Sequence, residues 1–192
     1  MTDVHVVAVC GSLRDESFTR ATLQRALEGA GDVGAETDLL DLREFDLPLF
    51  DGDVDREDAG DAAELARVLR DADAIILGSP MYHGSYSSPL KTALDYCGFD
   101  EFEDKTVGLV GVAGGSFPVT TLEHLRSVCR ALNAWVLPHQ VAIPRASSAI
   151  EGGVFVDEKL EERVATLGRR VVQYAAIEPD PGSFEGDQNV GA

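Results

Sequence analysis

The chain is poor in cysteine and poor in positive charge, and each shortage excludes a class of protein. Its three cysteines, Cys10, Cys97 and Cys129, lie far apart in 192 residues. A sparse, odd set without short spacing forms neither a disulfide framework nor a zinc or iron–sulfur site. No metal is therefore expected, and a reducing cytoplasm suits the chain. Apolar runs are short: none approaches the roughly 18 residues of a membrane span. MTDVHVVAV lacks the basic region and apolar core of a signal peptide. The shortage of cations is the most pronounced. Sixteen Lys and Arg face 34 Asp and Glu, a formal net charge of −18. Such a surface repels nucleic-acid phosphates and anionic lipid, so neither is expected as a partner. It also suits a high-salt interior, where the Debye length falls to about 3 Å at 1 M and self-repulsion is screened.

What is present alternates. With 44% hydrophobic residues the chain can bury a sizeable single core. Short apolar runs at 4–9 (VHVVAV), 74–79 (AIILGS), 106–113 (TVGLVGVA) and 135–143 read as strands, and 36–41 (ETDLLD) as a weaker one. Between them lie stretches of helical period, 17–29, 61–72, 89–97, 119–133 and 157–175. Phe18, Leu23 and Leu27 make one such stripe, and Leu65, Val68 and Leu69 another. Ser88 before Pro89 reads as a helix cap with Pro at the first helical position. Residues 43–61, rich in Asp with Pro48, Gly52 and Gly60, read as a long surface loop. This order predicts a doubly wound α/β fold: a five-stranded parallel sheet with helices on both faces. One domain covers residues 1–177. Residues 178–192 (EPDPGSFEGDQNVGA) read as a disordered acidic tail.

Ligands bind such sheets beyond the carboxyl ends of the strands. The loops there have unusual sequences. In GSLRDES, Gly11 permits a tight turn, and the following helix offers free N–H groups and a partial positive charge. Ser12 and Ser17, with Thr19 beyond them, can donate hydroxyl bonds and Arg14 a charge-assisted one. Asp15 and Glu16 must then face solvent. The stretch is equally an ordinary strand-to-helix turn with Ser17 as N-cap. It is neither GxGxxG nor the Walker lysine loop. In SPMYHGSYSSP, Pro80 and Gly84 shape the loop, Tyr82 and His83 offer flat rings, and the amides of residues 81–85, Met81 to Ser85, can face a ligand edge. Loop packing alone also accounts for Tyr82 and His83. In AGGSF, Gly114, Gly115 and Ser116 let the backbone approach a ligand closely, or make a plain turn. A phosphate loop with two loops for a flat ring describes a flavin mononucleotide (FMN) site.

The motifs resemble those of the NADPH-dependent FMN reductase family, flavodoxin-like flavoproteins that include quinone, azo-dye and chromate reductases. GSLR with a following Ser matches Gly11, Ser12, Leu13, Arg14 and Ser17. The pattern SPxYxGSxPGxLKNAxD matches Ser79, Pro80, Tyr82, Gly84, Ser85, Leu90, Lys91, Ala93 and Asp95. The glycine pair after strand four matches Gly114 and Gly115, and Leu47-Pro48-Leu49 fits a further element. The likeness covers about residues 4–175. The chain departs from the pattern at Ser87-Ser88, at Thr92, and at Met81 and His83, where relatives often carry Asn or Glu. The resemblance implies non-covalent FMN, its phosphate on Ser12, Arg14 and Ser17, and its ring against Pro80–Ser85. It further implies NADPH or NADH as hydride donor, a quinone-like, flavin or other small molecule as electron acceptor, and a homodimer or homotetramer. Helices 89–97 and 119–133 are interface candidates. No side chain is assigned as a catalytic acid or base. A flavodoxin-type electron carrier and a cofactor-free binding protein on the same fold are the alternatives. Arg14 argues against the carrier, and the missing cysteine cluster argues against the iron–sulfur flavoproteins.

The charge balance generates one prediction. The urea midpoint is expected to rise from low to molar potassium chloride; equal midpoints would refute adaptation to high salt.

Overall fold

In His5–Cys10 (β1) the run Val6 to Cys10 is apolar without a break and buried throughout. A strand with no polar face needs cover on both sides, which a parallel sheet provides. β1 pairs in parallel with Glu36–Asp41 (β2) on one side and Ala74–Pro80 (β3) on the other. β3 pairs with Thr106–Val112 (β4), and every residue of both strands is buried. The sheet order is β2-β1-β3-β4 with two short segments beyond, Trp135–Val136 (β5) and Val141–Ile143 (β6), both parallel to β4. The computed structural model describes residues 4–175 and residue 177. The acidic stretch 178–192 lies outside them.

The expected five-stranded sheet is present with one difference at its edge. The single strand expected over 135–143 is broken in two. Pro138 lies in the gap; it has no N–H for a ladder, and the chain leaves the sheet around it.

Helices cover both faces. Phe18–Gly31 (α1) and Glu158–Gln173 (α7) pack with Val6, Ala8, Ile76 and Val110 in one core. Ala62–Asp71 (α2), Ser88–Asp95 (α3), the single turn Phe99–Phe102 (α4) and Val119–Ala131 (α5) lie over the other, with Val7, Val9, Ile75 and Leu109. Alternate residues of β1 thus enter opposite cores, as the pleat requires. α1 and α7 approach through glycine. A Cβ on Gly29 would stand 2.3 Å from the Ala165 carbonyl oxygen, and one on Gly168 would stand 1.8 Å from that of Ala26. The one-turn helix Ala146–Ala149 (α6) and a small hairpin, Ile150–Glu151 (β7) with Val154–Phe155 (β8), follow β6. Neither has a periodic signature, and the sequence pattern does not announce them.

Two local expectations shift. The cap of α3 is Ser87, one residue earlier than expected, with Ser88 as the first helical residue. The loop 43–61 is mostly irregular but holds a single 3₁₀ turn at Arg56–Asp58.

That turn is anchored to a buried carboxylate. Glu101 is fully buried and accepts from Arg56 Nη1 at 2.9 Å, Arg70 Nη2 at 2.6 Å and the Gly98 N–H at 2.8 Å. Burial pushes its carboxyl up, but these bonds outweigh burial and hold it below the usual range. Stability from such a group is complete above the unfolded-state value and is lost as pH falls through the lower folded-state value. Glu101→Gln should therefore destabilise at pH 7 by about 2–4 kcal/mol. The gap from wild type should shrink in acid, measured by urea melts from pH 7 to 3.

Candidate functional site

The carboxyl ends of β1, β3 and β4 bring the three unusual loops together. They enclose a cleft of about 310 Å³. Ser12, Arg14, Pro80, Met81, Tyr82 and Gly114 line it, as expected from the sequence. Thr19, a further hydroxyl of the first loop, lines it too, and so do Phe18, Ala146 and Ser147, which were not foreseen. Phe18 looks like an ordinary helix residue in the sequence, and RASSA carries no motif. Ser17, His83, Gly84, Ser85, Gly115 and Ser116 adjoin the cleft without lining it. Ser17 is buried beneath the first loop, where its Oγ accepts from the Arg20 N–H at 3.1 Å and caps α1.

The first loop is shaped for an anion by a residue outside the motif. The Arg20 guanidinium reaches back from α1. Its Nη2 donates to the Arg14 carbonyl at 2.7 Å and its Nη1 to the Asp15 carbonyl at 2.8 Å. A trans peptide points its N–H opposite its C=O. The N–H groups of Asp15 and Glu16 therefore face away from Arg20. Those of Ser12, Leu13, Asp15, Glu16 and Ser17 have no acceptor among the described residues. Buried Asp41 holds Arg20 through its Nε at 2.8 Å and is itself held by Arg43 Nη2 at 2.6 Å. Burial pushes the Asp41 carboxyl up, but bonds from Arg43 and Arg20 prevail and keep it below its ordinary value. Asp15 and Glu16 are exposed, and Asp15 pairs with Arg43 at 3.2 Å, so neither acid occupies the cleft. Arg14 has no carboxylate partner among the described residues, in a chain where acids outnumber bases two to one.

A side chain at Gly11 would obstruct the turn, as expected. A Cβ there would meet the Leu90 Cβ at 2.8 Å and the Ser87 Oγ at 2.9 Å. The glycine makes room for α3, and the Ser87 hydroxyl donates to the Gly11 carbonyl at 2.6 Å. Ser87 N–H also donates to Ser79 Oγ at 2.9 Å. Ser87, at a departure from the family pattern, stitches the second loop to the first.

The second loop is a tight reversal. Tyr82 and Ser85 exchange backbone bonds at 3.0 and 3.1 Å. His83 and Gly84 both have positive φ, 51° and 81°, as a type I′ turn demands. The turn claims amides that the sequence left for a ligand: Met81 N–H goes to Val112 and those of Tyr82 and Ser85 to each other, leaving His83 and Gly84. Helix α5 braces the loop, with Ser85 Oγ 2.9 Å from His124 Nδ1. Around Gly114 and Gly115 nothing lies within 4 Å of a built Cβ, so that backbone is open to a ligand.

The donor set fits FMN: free amides and an unpaired arginine for a dianionic phosphate, an exposed tyrosine and open glycine backbone for a ring. A cysteine nucleophile does not compete. Burial raises the Cys10 thiol, and it pushes Cys97 and Cys129 up to about 12. Among the described residues there is no group of three metal-ligating side chains. The Arg20 clamp is expected to act on the phosphate alone. Arg20→Ala should weaken FMN binding about tenfold, two hydrogen bonds of about 1 kcal/mol each being partly made up by water. Riboflavin binding should hardly change, both read by quenching of flavin fluorescence. Equal losses would show that Arg20 does not aim the loop.

Comparison with known proteins agrees with this geometry. The sequence model of the NADPH-dependent FMN reductases matches residues 4–148. The FMN-dependent NADPH-azoreductase of Staphylococcus aureus (strain NCTC 8325 / PS 47) is 35% identical over 138 residues, 70% of this chain and 73% of that one. The enzyme of that name from Staphylococcus saprophyticus is 36% identical over 136 residues, 59% of this chain and 72% of that one. Among solved structures, the flavoenzyme NAD(P)H:(acceptor) oxidoreductase FerB from Paracoccus denitrificans superposes with a TM-score of 0.74 at 20% identity. It covers 90% of this chain and 97% of its own. An archaeal flavodoxin gives 0.61 at 13%, covering 90% and 99%. The flavodoxin-like fold is common to both, and only the sequence matches separate reductase from carrier. The chain belongs to the NADPH-dependent FMN reductase family, and is an oxidoreductase that works with FMN and NAD(P)H.

Proposed function

We propose that the cleft at the carboxyl edge holds FMN and passes reducing equivalents from a nicotinamide nucleotide to a small quinone- or azo-type acceptor. The observation that carries this reading is the first loop: its free amides and Arg14 stand beside Pro80, Tyr82 and Gly114 in one cleft. FMN, when bound, supplies the ring that accepts the hydride and yields it again. The chain supplies position. Ser12, Arg14 and the amides of residues 15–17 hold the phosphate, with Ser17 fixing the helix start behind them. Pro80, Met81 and Tyr82 flank the ring, and the free amides of His83 and Gly84 are the remaining donors of their loop. Gly114, with Gly115 and Ser116, leaves a face open for donor and acceptor in turn. No acid or base side chain is assigned, because hydride transfer to a flavin does not require one.

Assembly as a homodimer belongs to the same reading. Leu122 and Leu125 of α5 are buried in the core and are not available to a partner, but Leu13 and Tyr82 expose large apolar surface on the cleft loops. A second copy placed there would exclude water from the ring. Three free thiols suit a reducing cytoplasm, and no described helix is long and apolar enough to cross a membrane. The carrier reading is weaker because Arg14 is an unpaired cation in the phosphate loop.

A visible spectrum tests the reading. Purified protein mixed with FMN should show a bound flavin band that bleaches when NADPH is added without oxygen. Bound flavin that neither NADPH nor NADH bleaches makes the chain a carrier; protein that takes up no FMN ends the cofactor assignment. Arg14→Ala should weaken FMN retention at least tenfold, since a charge-assisted bond contributes about 1.5–3 kcal/mol. Light scattering on the same sample should give twice the monomer mass.

A further inference from the structure

Past the cleft, along the same carboxyl edge, lies a larger groove of about 650 Å³. The order β1-β3-β4-β6 puts the phosphate loop, the ring loops and then this groove in one line. Ala142 of β6 and Leu122 of α5 line it, with Phe117 and Val119 from the β4 side and Val156 and Leu160 from the start of α7. Two guanidiniums, Arg145 and Arg163, also line it. Neither pairs with a carboxylate among the described residues. Arg163 Nη2 donates to the Gln140 carbonyl at 2.8 Å. The one acid in the groove, Asp157, caps α7 by accepting from the Lys159 N–H at 2.9 Å.

Arg145 sits on the seam between the two sites. Its N–H donates to the Gly115 carbonyl at 2.8 Å, and the Ala146 N–H donates to Ala113 at 2.9 Å. These bonds hold Arg145 at φ 44°, in the left-handed region that a side chain occupies at a cost. Ala146 and Ser147 then face the cleft, while Arg145 and Ser148 face the groove. A chain of net charge −18 keeps these cations unpaired beside apolar walls. That combination suits an aromatic ring carrying phosphate: the walls take the ring, and a planar guanidinium matches phosphate in a bidentate manner.

We propose that this groove takes the adenosine half of the nicotinamide nucleotide, and that Arg145 reads its 2′-phosphate. The proposal rests on the cleft being the FMN site, because only then does a donor reaching the ring have its other half at the groove. Two adjoining sites in line are what a two-part ligand needs. The 2′-phosphate is the only difference between NADPH and NADH, so Arg145 sets the choice between them.

The test compares wild type with Arg145→Ala, both loaded with FMN. Alanine keeps a Cβ, so the strained backbone is unchanged and folding should be retained; Arg145→Lys provides a second variant with the charge. In Arg145→Ala the KM for NADPH should rise about tenfold relative to that for NADH, with partial recovery in Arg145→Lys. Binding of 2′,5′-ADP, measured by calorimetry without turnover, should weaken in parallel. The inference is overturned if the two KM values move together, if neither moves, or if 2′,5′-ADP binds both proteins alike. It is also overturned if only the KM for a sulfonated azo dye changes, which would make the groove an acceptor site. Bleaching of wild type by NADPH checks the FMN reading separately. A bleached wild type with unaltered preference in the variant refutes this inference alone.

Discussion

A parallel sheet buried on both faces is the constraint on which this structure depends. β1, β3 and β4 have no polar face, so each connection must carry a helix over one side or the other. All strands then point the same way, and every loop that follows a strand emerges at one edge. The helices beyond β1 and β4 begin there, with unsatisfied N–H groups in their first turns. The site is a consequence of this packing: residues 12, 80 and 114 meet because their strands are neighbours.

Within that edge, charge is used sparingly. Most arginines are paired to carboxylates, as with Arg20 and Asp41 or Arg56 and Glu101. Those pairs set the backbone: the first turns the carbonyls of Arg14 and Asp15 inward, and the second anchors a turn of the long surface loop. Arg14, Arg145 and Arg163 are different, having no carboxylate partner among the described residues and bordering the cleft or the groove. In an acidic protein a cation without an internal partner marks where an anion from outside is welcome. The electrostatics of the sheet edge thus separate residues that build the loops from residues that meet ligands.

Ser87 shows how a departure from a family pattern can be structural. It occupies a place where the pattern has a different residue, and its hydroxyl and amide bind Gly11 and Ser79. The loops for phosphate and ring are therefore coupled by one side chain, and Gly11 leaves the room this needs. The type I′ turn at His83-Gly84 fixes the tip of the ring loop in the same manner, through backbone bonds that close on themselves.

The sequence by itself determined the alternation of strands and helices, the parallel sheet and the three loops of the site. These are local or periodic properties: an unbroken apolar run, a 3.6-residue stripe, a glycine pair. It also carried Ser12, Arg14, Pro80, Tyr82 and Gly114, because each belongs to a compact motif, and Met81, because it lies inside one. Only the tertiary structure decided which loop amides stay free, since Tyr82 and Ser85 bond to each other across the turn and Met81 bonds to Val112 of β4. It alone brought Arg20 across the first loop to Asp41, twenty-one positions away, and Ala146 and Ser147 into the cleft from beyond β6. Hydrogen bonds between distant residues depend on how the strands are ordered and how helices lean, and no short window of sequence contains that information.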